Sequence, residues 1–88
     1  MPDITVSVGQ GGRNTKADVR IVQKLLNNFT TGMGLPALEV DGGYGDNTGK
    51  AIRRFQTQVM GLGNPDGRVD PGGRTIRALN APAHAAPA

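Results

Sequence analysis

The chain has 88 residues, among them 14 glycines and 6 prolines, with no cysteine and a formal net charge of +3. That length allows one domain around one small core, and the missing cysteines exclude a disulfide framework and thiolate metal sites. The charge favours an anionic partner such as nucleic acid, an acidic polymer of the cell envelope or an acidic protein face.

Ile4, Val6 and Val8 alternate with Thr5 and Ser7, the period-two signature of a half-buried strand. GQGGRN, residues 9–14, breaks that pattern. Thr15, with Asp18 three residues on, then resembles a capping box and predicts a helix reaching Phe29. Its apolar face carries Val19, Val22, Leu26 and Phe29, widened by Ile21 and Leu25. Residues 30–40 read as a loop ending in Leu38 and Val40.

The stretch DGGYGDNTGKAIRRFQ, residues 41–56, is a glycine-rich loop that opens a second helix. This helix is predicted from Asp46 or Asn47 to Met60, with Asp46 favourably placed in the first turn and Gly61 as terminator. Ala51, Ile52, Phe55 and Val59 form its predicted buried face. After the turn cluster GLGNPDGR, Asp70 and Pro71 read as N-cap and first residue of a short third helix carrying Ile76 and Leu79. The terminal APAHAAPA reads as a linker or frayed end. The chain thus divides into a strand and loop over 1–14, a helical domain over 15–80 and a tail over 81–88.

An internal echo runs through the second half. Asp41-Gly42-Gly43-Tyr44 parallels Asp66-Gly67-Arg68-Val69, and each is followed by a Thr-x-x-Ala-aliphatic run, from Thr48 to Ile52 and from Thr75 to Leu79. The second copy is two residues longer. An Asp-Gly turn that drops an apolar residue into the core, with a threonine holding down the next helix start, explains both.

Catalytic and metal chemistries find little support. The glycine loop lacks the lysine of a phosphate loop, and Asp46 would stand where the phosphate should sit. Ser7 and His84 are the only serine and histidine, one in a strand and the other in the tail. Asp41 and Asp46 could form a carboxylate pair, but a single small helical core offers little cleft, and Asp41 fits better as a turn-closing residue. An EF-hand fit around Asn64, Asp66, Arg68 and Asp70 fails at Leu62 and Gly73. No enzyme activity, metal or cofactor is expected. Lys50, Arg53, Arg54, Arg74 and Arg77 suggest a basic nucleic-acid-binding domain. However, the ten-residue link GLGNPDGRVD is far longer than a helix-turn-helix turn.

Three segments together resemble a known family. They are Asp18-Val19-x-x-Val22-Gln23-x-Leu25-Leu26, then Asp41-Gly42-x-Tyr44-Gly45-x-x-Thr48-x-x-Ala51-Ile52-x-x-Phe55-Gln56, and Asp66-Gly67-x-Val69-Asp70 with Thr75 and Leu79. This order resembles the peptidoglycan-binding domain family, the small three-helix modules attached to bacterial and phage wall hydrolases. The likeness covers residues 18–79. It implies a mainly α, compact three-helix domain, here with a short N-terminal strand and Gly-rich loops. It also implies a non-catalytic module that targets a linked or associated wall hydrolase or effector to peptidoglycan.

The opening strand, the GQGGRN loop and the long 30–40 loop depart from the family core, and an N-terminal strand of this kind looks like variants in phage endolysins and secretion-delivered wall proteins. MPDITVSVGQGG has neither the basic nor the apolar region of a secretory signal. The expectation is a protein made in the cytoplasm that acts in the periplasm or cell wall after export or lysis, without a membrane partner.

With one tyrosine and no tryptophan, stacking on sugar rings is poorly supplied. Carboxylates of the stem peptides are the better target, with Lys50, Arg53 and Arg54 as donors. Asn47, Thr48 and Gln56 are neutral partners, beside the Tyr44 loop. Arg53 and Arg54 are expected on different sides of the helix, so that one of them contributes. Asp41, Gly42, Gly45, Asp66 and Gly67 are expected as turn residues. The alternatives are an adaptor of a secretion or lysis complex that keeps the fold without wall binding, and a nucleic-acid binder.

Overall fold

The computed structural model describes residues 3–81, so the expectations for His84 and the tail beyond Ala81 lie outside the described residues. In chain order the elements are β1 (Val8–Gly9), α1 (Lys16–Leu26), α2 (Asp46–Arg54), β2 (Arg68–Val69) and α3 (Arg74–Asn80). The two strands pair antiparallel, Val8 opposite Val69 and Gly9 opposite Arg68.

The opening strand is much shorter than the alternation predicts, and Asp18 is the reason. Its carboxylate accepts the backbone N–H groups of Thr5 (3.3 Å) and Val6 (3.1 Å) and the Thr5 hydroxyl (2.8 Å). Donors that would feed a ladder are thus bound to a side chain. Thr15 is the N-cap of α1, but its hydroxyl donates to Asp18 at 2.9 Å instead of accepting from the helix backbone. The expected capping box is therefore a carboxylate clamp that fastens residues 5 and 6 to α1. Ile4 and Val8 are buried in the same cluster as the helices.

Val19, Val22 and Leu26 of α1, Ala51 and Ile52 of α2, and Ile76 and Leu79 of α3 meet around Phe55 and Val69. Phe29 lies past the end of α1 and packs edge-on against Phe55, with ring centroids 4.8 Å apart.

Three helix boundaries differ from expectation: α1 stops at Leu26, short of Phe29, and the other two lie in α2 and α3. Residues Phe55–Val59 form a π-helical turn at the end of α2, in which the Met60 N–H reaches back to the Phe55 carbonyl at 3.1 Å. A π turn inserts one residue into the helical phase. Val59, predicted as core, is therefore rotated out to 46% exposure, while Met60 packs on the core. Helix α3 starts later than predicted, with Gly73 as its N-cap. Asp70 instead accepts from the Ser7 hydroxyl (2.7 Å) and the Arg68 guanidinium (2.9 Å), and its carbonyl accepts from Gly73.

Candidate functional site

The Asp-Gly turns are the most regular feature of the molecule. In the first, the Asp41 carboxylate accepts from the Gly43 N–H at 2.9 Å. The carboxamide of Gln23 donates to Asp41, to the Gly43 carbonyl and to the Thr48 hydroxyl, each at 3.1 Å, and accepts from the Gly42 N–H at 3.0 Å. In the second, Asp66 accepts from the Arg68 N–H at 2.9 Å. Gln56 donates to Asp66, the Arg68 carbonyl and the Thr75 hydroxyl at 2.9, 3.1 and 3.2 Å, and accepts from Gly67 at 2.9 Å.

Each glutamine, 1% exposed, joins a turn to the start of the following helix. These bonds also hold both carboxylates below the ordinary range. For Asp41 the Gly43 N–H contributes most, then Gln23; for Asp66 the Arg68 N–H, then Gln56.

These geometries redistribute the predicted site residues. Gln56 and Thr48 are buried, with the Gln56 carboxamide and the Thr48 hydroxyl engaged in the hubs. Gly42 and Gly67 have φ of +80° and +70°, the left-handed conformation that glycine tolerates. Gly45 has φ −142°, ordinary extended backbone that does not require glycine. Tyr44 is half-buried, and its hydroxyl lies over Gly49 at the edge of a hollow shared with Gln10, Gly11 and Arg53.

Lys50, Arg53 and Arg54 follow α-helical spacing of i, i+3 and i+4. The two arginines both border one shallow hollow with Lys50, Thr57 and Gln58. Their tips then diverge. Arg53 donates to the Gln10 side chain, and Arg54 donates to the Met33 carbonyl at 3.2 Å.

Each hub also floors a groove, and the two differ. The first, about 730 Å³, runs between residues 35–39 and the start of α2, bordered by Gln23, Asp41, Gly43, Asn47 and Lys50. The second, about 380 Å³, is lined by Gln56, Asp66, Thr75 and the Arg68–Asp70 ion pair. Arg68 stands where the first copy has Gly43, so a long side chain occupies a position that the first copy leaves bare. Asn47 and Lys50, both exposed, fall in the larger groove. Sequence reasoning missed its outer wall over residues 35–39 and the residues that position it. Gln23 was within reach, because the internal echo extends upstream to the Val22-Gln23 and Phe55-Gln56 pairs.

The span holding both hubs matches a family model described as "Putative peptidoglycan binding domain" over residues 15–79. The chain belongs to the peptidoglycan-binding domain family. No curated protein and no solved structure gives a match. The family span starts at the N-cap of α1, so Ile4, Val8 and residues 5 and 6, clamped by Asp18, lie outside the matched residues and pack against them. Among the described residues no helix is long and apolar enough to cross a membrane, and no group of three or more His, Asp or Glu side chains is placed to hold a metal.

Proposed function

We propose that the protein is a non-catalytic peptidoglycan-binding module and that the larger groove, between residues 35–39 and α2, is its ligand site. The observation that carries this reading is the contrast between the two copies of the turn. Both keep the Gln–Asp–Thr hub, while only the first keeps glycine, at Gly43, where the second carries Arg68 and its ion pair. Lys50 and Asn47 on the exposed side of α2 supply polar contacts at the rim, and Arg53 and Arg54 continue a basic strip along the helix. Such a module would hold a linked or associated hydrolase or effector at the cell wall.

The test is a pull-down on purified, protein-free sacculi across a salt series, comparing the parent with Gly43→Arg. A Cβ at Gly43 would meet nothing closer than the Asp41 carboxylate at 3.5 Å, so the variant should fold normally and fill the groove as Arg68 does in the second copy. Saturable binding by the parent, lost in Gly43→Arg, supports the reading. Equal sedimentation of both places the site elsewhere. A parent that stays in the supernatant at every salt concentration overturns wall binding and leaves the adaptor reading, which partner copurification would then test.

A further inference from the structure

The outer wall of the larger groove is an irregular segment that carries unengaged backbone groups. The Asn27 carboxamide accepts from the Leu38 N–H at 2.7 Å and donates to the Leu38 carbonyl at 3.0 Å. One planar carboxamide can meet both groups of a residue when that residue is extended, because an extended residue presents its N–H and C=O on the same edge. The neighbouring residues Ala37 and Glu39 then turn their backbone groups to the opposite edge. No hydrogen bond among the described residues engages those four groups, and both residues are exposed and line the groove. An edge of this kind is a template for a further extended chain.

Charge narrows the choice of chain. On a protein of net charge +3, this groove runs the other way: Glu39, Asp41 and Asp46 line it against the single ammonium of Lys50. A peptide that enters it is favoured by an amine more than by additional carboxylates.

We propose that the groove takes an extended peptide bearing a free amine, paired through main-chain hydrogen bonds with Ala37 and Glu39 and with its amine beside the groove carboxylates. This deepens the wall-binding reading and rests on it. In peptidoglycan the matching chemistry is a stem peptide whose diamino-acid side chain is not cross-linked. Asn27 is a positioning residue, since it pins Leu38 and so sets which edge is offered.

The experiment is calorimetric titration of the full chain with synthetic stem-type pentapeptides. One carries a free lysine side-chain amine, one is acetylated at that amine, and a third set is N-methylated at single backbone amides. Ala37→Pro is tested alongside, because it removes a backbone N–H that makes no bond within the fold. Acetylation, one of the N-methylations and Ala37→Pro should each weaken binding by about fivefold, the scale of one lost hydrogen bond. Folding of Ala37→Pro is checked by its thermal midpoint.

If the parent sediments with sacculi but binds free and acetylated peptides alike, and N-methylation changes nothing, this inference fails while wall binding stands. If the parent binds neither sacculi nor any peptide, both fail.

Discussion

Gln23 and Gln56 occupy equivalent places in two copies of one device, each clamping an Asp-Gly turn to the threonine at the start of the next helix. Every buried side-chain polar atom among the described residues has a partner, and these two carboxamides account for much of that satisfaction. Gln56→Ala should therefore leave the buried Gly67 N–H without its acceptor and release Asp66 and Thr75. A loss of about 3 kcal/mol is expected, since an orphaned buried group costs roughly 1–3 kcal/mol and several partners are affected. Urea unfolding measures it. A change within experimental error would show that water replaces the hub at no cost.

The glycines separate into required and dispensable. Gly42 has φ +80°, and a Cβ there would lie 3.0 Å from the Lys16 carbonyl oxygen. Gly42→Ala should cost about 1–2 kcal/mol, the scale of a left-handed alanine. Gly45 caps α2 in an ordinary conformation with open space around it. Gly45→Ser should be neutral or stabilising by a few tenths of a kcal/mol through an added cap. Thermal melts of the two variants should move in clearly different ways.

The π turn makes a sharp distinction between adjacent residues. Val59→Ser should stay within about 0.5 kcal/mol of the parent, as surface substitutions do. Met60→Ala, which removes a side chain packed on the core, should cost more, about 1–2 kcal/mol for a half-buried position. The reverse order would restore the regular helix expected from sequence spacing.

Acid should weaken the fold through three carboxylates. Burial pushes Asp18 up, but hydrogen bonds from the Thr5 and Thr15 hydroxyls and from the Thr5 and Val6 N–H groups together outweigh it, so its pKa lies below the ordinary 3.8. Asp41 and Asp66 are lowered as well. A group with a lowered folded pKa binds fewer protons when folded. It therefore contributes its full stability above the ordinary value of 3.8 and loses that contribution as pH falls through the lowered one. Denaturation midpoints should be flat near neutrality and fall below about pH 4. Asp18→Asn should flatten that fall and loosen the N-terminal segment, seen as faster amide exchange at Thr5 and Val6. An unchanged acid profile would remove Asp18 from the account.

The helices, the Asp-Gly echo and the family were legible in the sequence, because helical spacing of apolar residues and turn chemistry are local signals. Val19, Val22 and Leu26 declare a buried face without reference to anything distant, and Gly42 and Gly67 follow their aspartates in both copies. Only the tertiary structure decided where the polar groups go. Gln56 reads as a surface donor until it is seen buried against Asp66, and Asp18 reads as a cap until it captures Thr5 and Val6. Asn27 gives no local sign that it will pin Leu38 eleven residues away. Hydrogen bonds between residues distant in sequence leave no period to read, and they set which loop becomes a groove wall and which glutamine is available to a ligand.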